Sequence, residues 1–514
     1  MASPYDVVVI GAGLGGLTAA ALLARAGRKT LLIERNPSVG GAATTYKVGD
    51  LVVEASLHET ADPQNPLEPK HQILERIGVL DAVQWVPTGP LYEVRGGPVG
   101  EPFVLPDDFA AAREALSARF PLAAAGVNRV LGDMERIATG LGTLSQGRDA
   151  FRDPREGLAA LLKLAPALRD WRLSLSDVLE RAFAGNEAVK CALAANLGYW
   201  HDDPCTMWWL FFAVAQGGYL GCGGRYIHGG AQRLSNAIAR AFRAAGGELL
   251  LGHAAVEIRL GKDGRPASVV YEHKGERAEA RTRAIACNAA PAVLATLLPE
   301  RERALFDAAY GRRPQSISLF ALTLGLSCRP SELGIRHYSN FLLPAWVKRL
   351  ADYPANAAIL AENPNGRAPI MALVDYSAID SGLGGSPYPV SIVGTDRVAN
   401  WVGLSEPAYR EKRRRWMDAI IDALEHSFPG IGSRVVAWEF NTARSMRNYL
   451  NAPEGSIYGF APTPPSRPIW RGFERSPQTP IPGLYLASCY AGSGGFTGAI
   501  RGGASAADRI LATH

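Results

Sequence analysis

The 514-residue sequence predicts an α/β fold: a largely parallel nucleotide-binding sheet assembled from three separated stretches, with an α+β domain and a helical cap inserted between them. Three observations carry this. A strand–glycine turn–helix–strand unit occupies residues 6–36, further strand and helix signals follow residue 225, and a strand–glycine turn–helix unit fills 483–511.

The first unit reads DVVVIGAGLGGLTAAALLARAGRKTLLIERN. YDVVVI is a continuous β-branched run, expected of a strand buried on both faces of a parallel sheet. It ends in Gly11, Gly13 and Gly16, the G-x-G-x-x-G spacing, with Gly15 as an extra small residue. Gly11 permits the tight turn, Gly13 lets the backbone approach a pyrophosphate, and Gly16 allows close helix packing. LTAAALLARAG is then a helix whose N-terminal amides face the phosphates and which stops at Gly27. KTLLIE returns as a strand and closes on Glu34, placed to accept hydrogen bonds from ribose hydroxyls. The glycine spacing alone also fits a structural turn; strand, glycines, helix, strand and acid in this order point to a dinucleotide.

The chain continues ERNPSVGGAATTY, with a second glycine pair at Gly40 and Gly41. This resembles the extended FAD signature of the amine oxidase and phytoene desaturase superfamily of flavoproteins. The resemblance implies a Rossmann-type FAD-binding domain with FAD as cofactor. It also implies that Glu34 and Arg35 form the family's acid–basic pair, followed by a segment lining pyrophosphate and flavin. Ala42 and Ala43 stand where many members place an arginine, so the backbone amides of Gly41 to Ala43 are left to serve the pyrophosphate.

RYIHGGAQRLSNAIARAFRAAGGELLLGHAAVEIRL (225–260) reads as a glycine-closed loop, a helix with apolar Leu234, Ala237, Ile238 and Phe242, and a strand. Its order is similar to the Y-x-x-GG segment of phytoene desaturases and retinol saturases, which implies backbone contacts from Val256 to adenine. RAIACNAAPAVLATLLP adds a strand and a helix, with Asn288 expected to cap that helix.

The segment GLYLASCYAGSGGFTGAIRGGASAADRIL (483–511) again offers amides at a helix N-terminus. It looks like the family's closing flavin motif, so Gly494, Gly495, Thr497 and Gly498 are expected beside the ribityl chain and the carbonyl side of the isoalloxazine. Many relatives carry an acid near Cys489; here a buried small thiol is the expectation, ahead of a thioether to flavin.

The likeness covers roughly residues 5–60, 225–295 and 480–512. The implied division is an FAD-binding domain in three segments (1–60, 225–299 and 480–514), a helical cap and substrate domain (61–224) and a further substrate segment (300–479). No second G-x-G-x-x-G follows a strand, so a built-in NAD(P)H domain is not expected.

Hydrophobic residues make up 47% and charged residues 20%, the balance of a folded protein. Net charge is +5 with basic residues scattered except in YREKRRRWM (409–417), so no nucleic-acid stripe is indicated. That run reads as a solvated helix face, with anionic lipid headgroups as the alternative. Six cysteines without a CxxC pair indicate neither a disulfide framework nor a metal site. A strand beginning at Tyr5 leaves no room for a leader, and a cytoplasmic location is expected. MWWLFFAVAQGGYL (207–220) is too short and too glycine-broken to span a bilayer.

HExxH, GxSxG and P-loop motifs are absent from the sequence. His58, in VVEASLHET, and His228, in YIHGG, are the candidates for acid–base help, with hydrogen-bonded structural imidazoles as the other reading. His201 in YWHDDP is expected in a capping turn. The leading expectation is an FAD-dependent oxidoreductase acting on carbon–carbon bonds (desaturation, saturation or isomerisation) of a long apolar substrate such as a carotenoid, retinoid or fatty acyl chain. Hydride would move at flavin N5, and an external acceptor or donor (oxygen, quinone or a reductase) would complete the cycle. An apolar substrate and the amphipathic stretch from Glu156 to Phe183 raise a peripheral membrane contact. The competing readings are a flavin-dependent amine or amino-acid oxidase and a flavin-binding scaffold without turnover.

Overall fold

A computed structural model describes residues 5–55, 59–145, 154–468 and 475–513. Its nucleotide-side sheet orders the strands Glu248–Leu251, Thr30–Glu34, Tyr5–Ile10, Glu276–Cys287, Pro266–His273 and Ala254–Leu260, with Leu484–Leu486 also paired to Glu276–Cys287. Tyr5–Ile10 runs parallel to both Thr30–Glu34 and Glu276–Cys287.

Glu276–Cys287 changes character along its length, and the pattern shows why. Its first four residues are exposed and the next four alternate buried and exposed, mostly where it pairs antiparallel with Pro266–His273; its last four, Ile285 among them, are all buried where parallel neighbours flank it. Alternation belongs to a sheet wetted on one face, and a continuous apolar run to one covered on both. Helix Leu14–Arg25 supplies part of that cover, packing on Gln232–Ala244 and Gly495–Thr513. Gln232–Ala244 buries Leu234, Ala237, Ile238 and Phe242, the face its 3.6-residue spacing marks.

The second sheet is antiparallel but for one pair, in the order Val435–Asn441, Ser318–Leu326, Tyr388–Asp396, Met371–Asp375, Ser339–Leu343, Tyr92–Gly96 and Gly100–Leu105. The parallel pair joins Ser339–Leu343 to Tyr92–Gly96, so chain from the first insertion completes the sheet of the second. A small three-stranded sheet links Thr60–Ala61, Gly224–Ile227 and Trp85–Pro87.

The basic run lies on helix Glu406–Ser427, where Arg410 and Arg415 pair with acids one turn earlier and Arg413 pairs with Glu439. Among the described residues no helix is long and apolar enough to cross a membrane. Helix Pro154–Lys163 and the short helix after it nevertheless show Leu158, Leu161, Leu162 and Leu168 to solvent.

Candidate active site

The amino-terminal glycine turn and the carboxy-terminal one meet back to back. A Cβ on Gly503 would stand 2.1 Å from the Gly15 carbonyl oxygen, and one on Gly15 would stand 2.2 Å from that of Ala487, so the two helices approach at a distance only glycine allows. Gly11 has a φ of +91° and donates its amide to Ile33, which turns the chain out of the first strand.

In front of these turns opens a cavity of about 1380 Å³. Gly11, Gly13 and Gly15 line one side, Gly40 to Ala43 a second, and Ser488 to Thr497 a third. It is larger than a pocket for one small ligand, which runs to roughly 1,000 Å³. In the first turn of helix Leu14–Arg25, the Gly16 amide is met by the Asn288 side chain (3.1 Å) and the Leu17 amide by the Gly13 carbonyl, leaving those of Leu14 and Gly15 to a phosphate. Asn288 therefore serves the glycine-turn helix and not the helix that follows it, which starts from Ala290 without a side-chain cap. The Asn288 side chain also presses on the turn: a Cβ on Gly13 would stand 2.6 Å from its Nδ2. These features fit a dinucleotide pyrophosphate.

Glu34 is 7% exposed, lines the cavity and accepts from the amides of Ala12 and Asn36, each at 2.7 Å. One lone-pair direction on each oxygen remains for ribose hydroxyls. Arg35 also lines the cavity, and its guanidinium donates to the carbonyls of Asn448 (2.7 Å) and Tyr449 (2.5 Å) at the end of helix Ala443–Leu450. That fastens the two sheets together and meets a helix C-terminus with positive charge. Ala42 and Ala43 line the cavity, and the Ala43 carbonyl accepts from Ser235. Val256 falls at the bulge between Ala255 and Glu257, one residue beyond the lining residues His253, Ala254 and Ala255.

Gly494, Gly495 and Thr497 line the cavity; Gly498 lies outside the lining, in the tight turn against Ser493. The Thr497 hydroxyl is taken by Glu68 (2.7 Å), which also accepts from Lys70 (2.8 Å). Lys70 is fully buried, and the carbonyl of Ala61 holds a second of its protons. Such a pair survives burial only with this degree of hydrogen bonding. Sequence reasoning misses it, because an acid and a lysine two residues apart look like surface charges. Burial pushes the Cys489 thiol at the cavity wall up to about 11.

The structure does not bring His228 to the cavity. Its ring is part-exposed beside Gly382, with Nε2 3.7 Å from Asp380. His58 lies outside the described residues. The tyrosine of the same Y-x-x-GG segment instead anchors a buried acid. The Tyr226 hydroxyl donates to Glu54 (2.7 Å), which also accepts from the Ala231 amide (2.8 Å) beyond the glycine pair. Burial raises the Glu54 carboxyl to about 7 in spite of these two bonds.

Past the glycine turns the cavity becomes apolar. Helix Trp209–Cys222 gives it Leu210, Phe211, Val214 and Ala215 from one face of its first turns and every residue from Gly217 to Cys222, while Trp209, Phe212 and Gln216 are buried behind. Trp171 and Trp208 add an edge-to-face pair at 5.1 Å. Within this apolar part stands Glu59, 6% exposed, and burial with the charge of Asp107 raises it to about 8.

The pattern of a family described as flavin containing amine oxidoreductase matches residues 14–511. Among curated proteins the chain is similar to an all-trans-retinol 13,14-reductase of Danio rerio, 24% identical over 98% of this chain and 86% of that one. It is also similar to a lycopene-forming phytoene desaturase of Pantoea ananas, 26% identical over 95% of each chain. A prolycopene isomerase of an Oncidium hybrid cultivar is 26% identical over 96% of this chain and 81% of its own. Among solved structures, putrescine oxidase (TM-score 0.62, 16% identity, 99% of each chain) shares the fold. So does cyclohexylamine oxidase from Brevibacterium oxydans (TM-score 0.58, 16% identity, 99% of each chain).

Proposed function

The chain belongs to the flavin-containing amine oxidoreductase family and is an FAD-dependent oxidoreductase. On that premise we propose that it acts on carbon–carbon bonds of a long apolar substrate such as a retinoid, carotenoid or fatty acyl chain. The observation that carries the proposal is the continuation of the cofactor cradle into an apolar, aromatic-walled space lined along much of helix Trp209–Cys222. The names of the curated relatives, a retinol reductase, a phytoene desaturase and a prolycopene isomerase, support the same reading.

When bound, the flavin supplies hydride acceptance and donation at N5. Glu34 holds the ribose, the amides of Leu14, Gly15 and Gly41 to Ala43 hold the pyrophosphate, and the start of strand Ala254–Leu260, with Val256 at its bulge, takes the adenine. Gly494, Gly495 and Thr497 border the ring. The FAD-binding domain is drawn from 1–60, 225–299 and 480–514, with 61–224 and 300–479 forming the substrate side. The aromatic wall orients a polyene and excludes water. An outside acceptor or donor of electrons completes the cycle. The bare leucines Leu158, Leu161, Leu162 and Leu168 are read as a shallow membrane contact through which a lipid-dissolved substrate arrives.

The deciding experiment is anaerobic mixing of the oxidised or reduced holoprotein with a panel of polyenes, fatty acyl compounds and amines while flavin absorbance is followed. Bleaching or reoxidation by an apolar compound is the expected result. Bleaching by an amine alone would overturn the reading in favour of an amine oxidase, and a flavin that nothing reduces or oxidises would leave a scaffold.

A further inference from the structure

Among the described residues, each buried carboxyl but that of Glu59 accepts at least one hydrogen bond. Glu54 accepts from Tyr226 and Ala231, Glu68 from Lys70 and Thr497, and Asp396 from Asn400, Trp401 and Ala443. Glu59 lies immediately before the strand Thr60–Ala61, at the cavity wall, and among the described residues neither of its oxygens has a hydrogen-bond partner. Other buried polar atoms lack a partner singly, Glu54 Oε2 among them, but a buried carboxyl with both oxygens unsatisfied calls for a ligand or a chemical role.

The charge that acts on it is a like one. Asp107 faces it from the turn ahead of helix Phe109–Arg119, and Tyr199, Tyr219 and Tyr338 stand around it. Tyr219 donates its hydroxyl to the backbone carbonyl of Glu59, not to its carboxyl. The nearby cations are engaged elsewhere: Arg225 pairs with Asp62 at 2.9 Å and Lys70 with Glu68. The Thr88 hydroxyl comes close enough to weigh slightly against the effect of burial. Burial and a like charge both favour the neutral acid, so this group carries a proton into an apolar cavity at neutral pH.

We propose that Glu59 is the acid–base residue of the substrate cavity, exchanging a proton with the carbon next to the one that exchanges hydride with the flavin. The proposal rests on the carbon–carbon reading above. In saturation, one carbon of the double bond takes hydride from the reduced flavin, which is thereby oxidised by two electrons. The neighbouring carbon forms its new C–H bond with the Glu59 proton as the π bond is lost, and the carboxylate regains a proton from water. In desaturation the same atoms move in reverse, with Glu59 receiving the proton as carboxylate.

The test uses the FAD holoprotein with Glu59→Gln and Glu59→Asp, each first shown to hold stoichiometric FAD. The first readout is the infrared carbonyl band of a protonated carboxylic acid, followed as pH is taken through about 8. Part of that band is expected to fade with rising pH and to be missing from Glu59→Gln, the remainder belonging to Glu54; a band unchanged by the substitution would overturn the proposal. The second is anaerobic reoxidation of the reduced protein by all-trans-retinol. The wild-type rate is expected to fall as pH rises through the same region. Glu59→Gln should be about 100-fold slower or more with retinol binding unchanged, and Glu59→Asp should recover part of the rate. A Glu59→Gln protein that keeps the rate and its pH dependence, or that loses rate only in proportion to lost retinol binding, would overturn it. If wild type is not reoxidised by retinol or any other apolar compound, the carbon–carbon reading fails, while the infrared band still decides whether the cavity holds a protonated Glu59.

Discussion

The Tyr226 hydroxyl lies 2.7 Å from Glu54, and both side chains are fully buried. Tyr226→Phe removes that donor and leaves a carboxyl oxygen with only the Ala231 amide. The expected loss is about 1–3 kcal/mol of stability, read as a lowered Tm of the holoprotein. Because the same carboxyl fixes the chain beyond Gly229–Gly230, the variant should also bind FAD more weakly; an unchanged Tm and affinity would refute the role.

Glu34→Ala frees the amides of Ala12 and Asn36 and removes the proposed acceptor for the ribose. Fluorescence titration of the apoprotein should show FAD affinity reduced roughly tenfold to a hundredfold, the range for hydrogen bonds to a charged group. Arg35→Ala should act differently, weakening the attachment of helix Ala443–Leu450 and lowering Tm more than it lowers affinity.

Stability should fall as pH rises from about 4.5 to about 8. Glu54, Glu59 and Asp396 all have carboxyls raised by burial, to about 7, about 8 and about 6. An acid that binds its proton more tightly folded than unfolded favours the fold fully below the unfolded value, and that advantage is lost as pH climbs to the folded one. The Glu59 contribution is at most about 5 kcal/mol. Denaturant melts of Glu59→Gln should therefore match wild type near pH 5 and exceed it near pH 9.

With the Cys489 thiol raised to about 11, thiolate is scarce at neutral pH and a thioether to the flavin is not expected. Acid precipitation should leave the yellow colour in the supernatant, and Cys489→Ala should keep its FAD.

Leu158→Glu with Leu162→Glu places charges on the bare leucine face. Flotation with phosphatidylcholine–phosphatidylglycerol vesicles should show wild type bound and the double variant free, at unchanged Tm. Equal flotation of the two would remove the membrane contact.

How much of this is legible in the sequence follows from what each residue depends on. Gly11, Glu34 and the helix after the glycines are set by local rules, a positive φ and a strand end, and a linear reading reaches them. The apolar character of helix Trp209–Cys222 is also present in the sequence, though which of its residues face the cavity is not. A linear reading gives Asn288 to the helix beside it; its actual partner, Gly16, is 272 residues away and becomes a neighbour only when the sheet closes. Glu59, Glu68 and Lys70 leave no pattern, because burial and the choice of partner are properties of the assembled wall. His228 stands out for its neighbours in the chain, yet a strand end turns its ring toward Asp380, and Tyr226 two residues earlier is the one that reaches a buried partner.

The glycine-to-glycine approach of Gly15 and Gly503 also bears on biosynthesis. During translation, the first segment of the sheet leaves the ribosome hundreds of residues ahead of the helix that must rest against it. Until Gly495–Thr513 has emerged, the nascent protein offers only part of a nucleotide seat, so flavin loading waits for that helix. A chaperone that shields the early strands has a long interval in which to act.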